Sequence, residues 1–456
     1  MKGYGLVLSG GGAKGSYEIG VWKAIKDMDI PIVAITGTSI GALNGAMLVQ
    51  GDDDLCELAW TNFSVEEIID VNNQVWEEEK IYEKNFNIFT IIKNLITNEG
   101  LELTPLIKSL EQYIDEEKIR ASPIDFGLVT YSLTDFEPFQ AFKDEIPNGQ
   151  LVDFLIASAC FPVFKPVEID NKKFIDGGFH DNVPISLMAA RGIKDIIVVD
   201  ISGFGVPKSR YDKDLNIIKI SNNKDIGKTL DISPEQAKMN IELGYLDALK
   251  QFDIVKGKKY YIVPNIFDNE EPDIGTITRG EIRKNLGITK DTPKAIKKFI
   301  TRKFFRNIDS FIDLDLSTNT AICNSMAEIT AEISKINEKQ IYTLKDLNRK
   351  ILDRFSEISH CKDYIDYVEN IEELIENKDI KGHLIRLTKE IKNNPDFLLT
   401  YFCFHNYNNK DDKKWNEIKR ITTVINPNLI IASIYLSMLL NLENTKSNNI
   451  SLAKTI

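Results

Sequence analysis

A serine with a glycine two residues away on each side follows an apolar run that is rich in β-branched residues. The run is residues 32–35, and the segment after it is Gly37-Thr38-Ser39-Ile40-Gly41. This spacing is G-x-S-x-G, which is typical of a sharp turn from a buried strand into a helix. A serine at such a turn has strained backbone geometry, and the glycines let the chain approach itself closely. The pattern predicts that the Ser39 hydroxyl is exposed at the sheet edge as a nucleophile.

A second glycine-rich segment joins the first predicted strand, residues 6–8, to the first predicted helix. Its sequence is Ser9-Gly10-Gly11-Gly12-Ala13-Lys14-Gly15. The glycines fit G-x-G-x-x-G, but a dinucleotide site also needs an acidic residue at the end of the second strand, which here ends at Ser39. The segment is not a P-loop either, because no Gly-Lys-Ser/Thr closes it. It offers a run of backbone N–H groups at a helix N-terminus, which favours an anion.

These two segments are expected to lie side by side. The strands 6–8 and 32–35, with the helix between them, form one β-α-β unit, so the strands run parallel and end at the same edge of the sheet. When a serine attacks an ester carbonyl, each preorganised backbone donor stabilises the resulting oxyanion by about 3–4 kcal/mol. Gly11 and Gly12 are the candidate donors. Lys14 either holds the loop or attracts an anionic substrate, and a solvated surface lysine explains it equally well.

A carboxylate follows a later predicted strand, residues 173–175. The sequence there is Asp176-Gly177-Gly178. An acidic residue at the carboxyl end of a strand, followed by two glycines, is typical of a catalytic carboxylate in a crevice, although Asp-Gly-Gly is also an ordinary turn. A free aspartate with a pKa of about 3.9 is a weak base for a serine, so we expect burial to raise this pKa. His180 lies four residues after Asp176 and leaves a serine–acid–histidine triad open.

The remaining elements define the domains that position these residues. Further strands are predicted over 126–131, 196–200 and 260–263, and a helix over 151–159. Beyond residue 265 the strand-like runs disappear, and Lys, Asn, Glu and Ile recur at helical spacing. We therefore predict an α/β domain over residues 1–265 and a mainly α-helical domain of unassigned role over residues 266–456. The apolar run 429–442 is expected to be a core helix of the second domain.

Taken in this order, the three glycine-containing motifs make the chain similar to the patatin-like phospholipase family over residues 4–265. The resemblance implies a three-layer α/β fold with a central, mostly parallel sheet. It also implies a serine–aspartate dyad that cleaves fatty-acyl esters of lipids through an acyl-enzyme, without a metal or cofactor. By position, Ser39 is then the nucleophile, Asp176 the general base and Gly10, Gly11 and Gly12 the oxyanion hole. The supporting motif residues are Lys14, Gly15, Gly37, Gly41, Gly177 and Gly178.

Two other functions are compatible with the motifs. An α/β-hydrolase-type esterase would use serine, acid and histidine in this chain order, but several strands usually precede its nucleophile, whereas one precedes the strand of Ser39 here. A histidine requirement would separate the two, because His180→Ala should inactivate only a triad enzyme. The second alternative is a catalytically inactive lipid-binding or scaffold protein. Such a protein would not react with a fluorophosphonate at Ser39.

Composition limits the partners. The net charge of −12 disfavours a general nucleic-acid binder, and the five cysteines and four histidines show no metal-ligand spacing. The sequence shows no secretory signal and no apolar run of about 18 residues, so a cytoplasmic location is expected.

Residues 279–306 hold ten basic and two acidic residues with Phe299, Phe304 and Phe305 among them. They are interpreted as a peripheral membrane contact or as a solvated helix.

Overall fold

The computed structural model describes residues 3–62, 108, 110, 112–161, 164–201, 214–222, 224–229, 233–264, 286–309, 319–376, 388–408 and 413–453. The apolar stretch 86–96, interpreted from the sequence as a core helix or a lid, lies outside these residues. So does the first part of the basic stretch, before residue 286. The chain divides into two compact units, residues 1–252 and 253–456. Separate roles for an α/β and a helical domain stay a prediction.

The first unit alternates strands and helices in the way that the sequence predicts for its N-terminal half. Its strands are β1 (Tyr4–Leu8), β2 (Ile32–Thr38), β3 (Asp125–Ser132), β4 (Glu137–Phe142), β5 (Val167–Ile169), β6 (Lys172–Asp176), β7 (Asp195–Val199) and β8 (Asn216–Ile220). Its helices are α1 (Ser16–Asp27), α2 (Ile40–Gln50), α3 (Asp53–Asn62), α4 (Glu116–Ala121), α5 (Leu151–Ser158), α6 (Ile185–Ala190) and α7 (Pro234–Gln251).

One sheet organises this unit, with strand order β5-β6-β3-β2-β1-β7-β8 and β4 paired to β3. The five central strands β3, β2, β1, β7 and β8 are parallel, whereas β4, β5 and β6 are joined by antiparallel pairings. Helix α2 packs on Leu8, Ile35 and Phe126 on one face. Helix α6 packs on Val7 and its neighbours on the other face. The predicted α/β architecture with a mostly parallel central sheet is therefore confirmed.

The pairing of β3 explains how two distant segments meet. Strand β2 pairs with β3 in parallel up to Thr38 opposite Val129. Strand β6 pairs with β3 in antiparallel orientation from Asp176 opposite Thr130 onward. Because β4 occupies the other side of β3 along both stretches, β2 and β6 lie end to end on the same side. Their carboxyl ends therefore point at each other, which brings the residues after β2 close to Asp176.

The second unit is mainly helical. Its helices are α8 (Lys294–Asp309), α9 (Asn319–Ile333), α10 (Leu344–His360), α11 (Lys362–Glu376), α12 (Pro395–Asn408), α13 (Lys413–Ile425) and α14 (Pro427–Ala453). Leu429, Ile430 and Tyr435 of α14 are fully buried in a shared apolar core, as the sequence predicts for this run. In the part of the chain that the structure describes, no helix combines the length and apolar character needed to cross a bilayer.

The strand predicted over 260–263 forms, but with a different partner. Residues Tyr261–Ile262 (β9) pair in parallel with Ile341–Tyr342 (β10) in a separate two-stranded sheet, rather than closing the central sheet. The buried Glu328 of α9 fixes this segment, because its carboxylate accepts hydrogen bonds from the backbone N–H groups of residues 258–260. The prediction that this strand belongs to the first domain is therefore wrong.

Candidate active site

Ser39 lies in the strained turn that its flanking glycines predict. Its φ of 56° and ψ of −128° are backbone angles that a non-glycine residue rarely adopts. A Cβ on Gly37 would lie 2.3 Å from the carbonyl oxygen of Gly41, and one on Gly41 would lie 2.5 Å from that of Leu8. Larger residues at these two positions would therefore open the turn. Helix α2 begins at the next residue, and the Ser39 side chain makes no capping hydrogen bond to it.

The Ser39 hydroxyl lies within hydrogen-bonding reach of the Asp176 carboxylate. The N–H of Gly178 donates a hydrogen bond to Asp176 Oδ1 at 2.8 Å. Burial raises the pKa of Asp176 to about 6, although the interactions with Ser39 and Gly178 act to lower it. Near neutral pH the group is thus a carboxylate with more basicity than a free aspartate. The backbone N–H of Ser39 is held by Ser158 Oγ at 3.0 Å, and that hydroxyl donates to the Val129 carbonyl at 2.7 Å.

The glycine-rich loop lies beside Ser39, since a Cβ on Gly10 would lie only 3.2 Å from the Cβ of Ser39. The N–H of Gly10 donates to the carbonyl of Asn182 at 3.1 Å, and the N–H of Ala13 donates to that of Thr229 at 2.7 Å. Between them, the N–H groups of Gly11 and Gly12 have no acceptor among the described residues. Of the three predicted oxyanion-hole residues, Gly10 therefore already donates its N–H to a protein carbonyl. Gly11 and Gly12 have N–H groups that could donate to a substrate.

The supporting motif residues surround this loop. Lys14 is half-buried within the short 3-10 turn Gly12–Gly15. Gly15 lies against the start of α2, where a Cβ would come within 2.6 Å of Ile40 Cγ1. Gly177 lies so close to β3 that a Cβ would be 2.1 Å from the carbonyl oxygen of Val129. These contacts place Gly15 and Gly177 at the end of the sheet where Ser39 lies.

A buried polar cluster behind the loop was not predicted from the sequence. Asn44 Nδ2 donates to the Gly15 carbonyl at 3.0 Å and to Glu18 Oε2 at 2.8 Å, and Asn44 Oδ1 accepts from Trp60 Nε1 at 3.0 Å. Burial raises the pKa of Glu18 well above its usual range. The amide of Asn44 thus ties the end of the loop to three helices. An Asn and a Glu on the inner faces of otherwise apolar helices were the only sequence signal for this cluster.

The Ser39 hydroxyl and the Asp176 carboxylate lie within hydrogen-bonding reach of each other, as a serine–carboxylate pair requires. His180 ends the turn after Asp176, and its backbone N–H donates to the Gly177 carbonyl at 2.9 Å. Within the described ranges, no group of three His, Cys, Asp or Glu side chains is placed to hold a metal ion.

Residues 6–189 match the sequence model of the patatin-like phospholipase family. Among curated proteins, patatin-like phospholipase domain-containing protein 6 of Mus musculus is 24% identical over 292 residues, 59% of this chain and 19% of that protein. Lysophospholipase NTE1 of Kluyveromyces lactis is 27% identical over 278 residues, 59% of this chain and 18% of the relative. Neuropathy target esterase sws of Drosophila melanogaster is 28% identical over 272 residues, which are 58% of this chain and 18% of that protein.

The chain thus spans about a fifth of the length of these relatives. Two solved structures align over most of it at low similarity. VipD from Legionella pneumophila has a TM-score of 0.34 and 12% identity, with 96% of this chain and 92% of that one covered. The type III effector protein ExoU has a TM-score of 0.31 and 12% identity, and the alignment covers 91% of this chain and 76% of that one.

Proposed function

We propose that this chain, whose residues 6–189 form a patatin-like phospholipase domain, is a serine hydrolase that cleaves fatty-acyl esters of lipids. The observation that carries the proposal is the placement of the Ser39 hydroxyl, in its strained turn, within hydrogen-bonding reach of the buried Asp176 carboxylate. It lies next to a loop in which two glycine N–H groups have no acceptor among the described residues. A nucleophile, a base and an oxyanion site are the three parts that acyl transfer requires.

In the proposed first step, Ser39 Oγ attacks the ester carbonyl carbon while its proton passes to Asp176. The carbonyl oxygen becomes an oxyanion that accepts hydrogen bonds from the N–H groups of Gly11 and Gly12. The intermediate then collapses. The bond from the carbonyl carbon to the alcohol oxygen breaks, and Asp176 returns its proton to the departing alcohol, which leaves an acyl-enzyme on Ser39.

In the second step, Asp176 accepts a proton from water, and the hydroxide oxygen attacks the acyl carbon. The same glycine N–H groups stabilise the second oxyanion. The bond to Ser39 Oγ breaks, the proton returns from Asp176 to that oxygen, and a fatty acid leaves. An ester is a better acyl donor than an amide, so a base with a pKa of about 6 suits this substrate class.

Lysophospholipids are the first substrates to test, because one of the relatives is named a lysophospholipase. Diacyl phospholipids and acylglycerols present the same ester and belong in the same panel. The decisive experiment compares wild type with Ser39→Ala and Asp176→Asn, with lipid products measured by mass spectrometry. We expect free fatty acid from wild type and a loss of at least about 10³-fold in both variants. Equal release by all three proteins would refute the proposal.

Two further assignments belong to this proposal. The five cysteines, all within the described residues, form no disulfide, and this supports a reducing, cytoplasmic compartment. The described part of the basic stretch, residues 286–306, carries seven basic residues and one acidic residue. Helix α8 within it exposes Phe299 and Ile296 (56% and 45% exposed) while it buries Phe304. We propose that this exposed face contacts the headgroups of an anionic membrane.

A further inference from the structure

Residues 181–184, which we call the strap, follow the turn after Asp176 and hydrogen-bond to two other parts of the site. Thr38, the residue before the nucleophile, donates from Oγ1 to the Asp181 carbonyl at 2.8 Å. Thr36 Oγ1 donates to the Pro184 carbonyl at 3.2 Å. The strap thus connects the segment that carries the carboxylate to the strand that carries the serine.

Within the strap, Asn182 holds the glycine-rich loop at Gly10 by two opposed hydrogen bonds. The N–H of Gly10 donates to the backbone carbonyl of Asn182 at 3.1 Å. The side-chain Nδ2 of Asn182 donates back to the Gly10 carbonyl at 3.1 Å. Both backbone polar groups of Gly10 are therefore fixed by one residue. Because Gly11 and Gly12 come next in the chain, the direction of their N–H groups depends on how Gly10 is held.

The packing leaves little freedom at this contact. A Cβ on Gly10 would lie 2.4 Å from Asn182 Oδ1 and 3.2 Å from the Cβ of Ser39. Gly10 is thus enclosed between the asparagine amide and the nucleophile. A shift of the loop would change the distance from Ser39 to the oxyanion donors, and a misplacement of about 1 Å can cost about 100-fold in rate.

The side-chain amide of Asn182 is buried with one of its polar atoms unpaired among the described residues, which lowers the stability of the fold. The residue is only 4% exposed, and its Oδ1 has no hydrogen-bond partner within the described residues. A buried polar atom left unpaired costs about 1–3 kcal/mol. A leucine has nearly the same shape and would remove the unpaired Oδ1, but it would also leave the buried Gly10 carbonyl without its donor from Nδ2. Because the gain and the loss are of similar size, stability alone does not select the amide, and the position in which it holds Gly10 is the property that leucine cannot reproduce.

We propose that Asn182 is a positioning residue for the reaction, which fixes Gly10 so that the Gly11 and Gly12 N–H groups point at the oxyanion formed above Ser39. This inference rests on the proposed acyl hydrolase function. Asn182 does not itself contact the reacting atoms. Its loss should therefore lower kcat, where the oxyanion forms, and leave substrate binding and the ionisation of Asp176 largely as they are.

The test uses the full chain with Asn182→Leu and Asn182→Ala, and Gln50→Ala as the matched control. Gln50 is a buried amide at the far end of α2 that also donates to a backbone carbonyl, that of Tyr113 at 2.8 Å. Steady-state hydrolysis of a soluble nitrophenyl ester gives kcat, KM and the pH profile. The rate of Ser39 labelling by a fluorophosphonate reports the same oxyanion site, because its phosphoryl oxygen occupies the position of the oxyanion.

For Asn182→Leu we expect kcat to fall by about 10–100-fold and KM to change by less than about threefold. The labelling rate should fall in proportion, and the pH midpoint should not move. Asn182→Leu removes both the unpaired Oδ1 and the donor to the Gly10 carbonyl, so its midpoint of unfolding should stay close to that of wild type, whereas Asn182→Ala, which also leaves a cavity, and Gln50→Ala should both be less stable. Gln50→Ala should keep wild-type kcat. The leucine variant thus separates positioning from support of the fold.

Two results would overturn the inference and leave the proposed function intact. One is wild-type kcat in Asn182→Leu. The other is a loss of kcat together with a shifted pH midpoint, which would mean that Asn182 acts through the surroundings of Asp176. Failure of the proposed function itself would look different, because wild type and Ser39→Ala would then be equally inactive towards esters and equally unreactive with the fluorophosphonate.

Discussion

At the proposed catalytic pair, the fold alters the acid–base properties of Asp176. Burial raises its pKa to about 6, and the proposed base must be deprotonated to accept the proton of Ser39. We therefore expect kcat/KM for ester hydrolysis to rise with pH, to reach half of its maximum near pH 6 and to be level above about pH 7. His180→Ala should keep this midpoint. A profile whose midpoint disappears in that variant would instead indicate a histidine in the reaction.

The raised pKa of Asp176 also makes the free energy of unfolding depend on pH, and it lowers that free energy as the pH rises. The folded pKa of Asp176, about 6, is higher than its ordinary value of 3.8, so the folded state holds the proton more tightly than the unfolded chain does. The stabilisation that this group contributes is complete when the pH is below its ordinary pKa of 3.8. It is lost as the pH rises through its pKa in the folded protein, about 6. Asp176→Asn should therefore stabilise the protein at about pH 8 by about 2–3 kcal/mol.

Urea unfolding of wild type and Asp176→Asn at about pH 4 and about pH 8 would test this expectation. The difference between the two proteins should nearly vanish at the lower pH, because the wild-type carboxyl is then neutral. Asparagine keeps the shape of the side chain and one accepting oxygen for the Gly178 N–H, so the substitution chiefly removes the charge. An equal difference at both pH values would show that burial of the charge is not its cause.

The sequence predicted the residues of the site that belong to motifs, and it missed those that hold the motifs in place. Ser39 and Asp176 could be found because a strained turn and a strand end require particular neighbours. Ser158 and Asn182 belong to no such pattern. Their hydrogen bonds join residues 119 and 172 positions apart in the chain, and only the three-dimensional pairing of β3 with β2 and β6 brings them together.

At the scale of elements, the crossing of α1 and α7 depends on two glycines. A Cβ on Gly20 would lie 1.9 Å from the carbonyl oxygen of Ile241, and one on Gly244 would lie 2.0 Å from that of Tyr17. The helix backbones are thus in direct contact. Gly244→Ala should force them apart and lower the free energy of unfolding by about 1–3 kcal/mol, which chemical denaturation would measure.

Gly45→Ala is the matched control, since it also adds one methyl group within a helix. A Cβ there would meet side-chain atoms only, the nearest at 3.0 Å. These can move slightly, and alanine favours a helix over glycine by about 1 kcal/mol. The control should therefore be close to neutral. Equal effects at the two positions would mean that the backbone contact between α1 and α7 is not what requires glycine.

Elements with a strong local pattern were predictable, and those that depend on a distant partner were not. Strands β1 and β2 with the helices after them combine buried apolar runs with glycine turns. Strand β5 is only three residues long and β8 is mostly half-exposed, so neither shows a clear alternation. The strand at 261–262 was recognised but assigned to the first domain, because its sequence does not show that β10, about 80 residues later, is its partner.

For the whole molecule, the distribution of charge is the feature with a functional consequence. The chain has a net charge of −12, yet the outer face of α8 presents Lys298, Arg302 and Arg306 around the exposed Phe299. On the opposite face, Ile300, Phe304 and Ile308 are buried in the core of the second unit. One face of the helix therefore packs in the core of the second unit, and the other face is exposed.

If this face binds a membrane, Lys298→Glu with Arg302→Glu should weaken binding of the full chain to vesicles that contain phosphatidylglycerol. Each basic residue near an anionic surface contributes about 1 kcal/mol, so reversal of two charges should weaken partitioning at least about tenfold. Lys194→Glu with Lys345→Glu is the control, because both lysines are exposed elsewhere and the change in net charge is the same.

The two double variants should differ in vesicle sedimentation and in hydrolysis of vesicle lipids. They should not differ in hydrolysis of a soluble monomeric ester, which needs no surface. Added salt should reduce the binding of wild type, since the attraction is screened over about 10 Å at about 0.1 M ionic strength. If both variants bound vesicles equally well, the net charge of the molecule would decide its attraction to the bilayer, and the exposed face of α8 would be a solvated surface only.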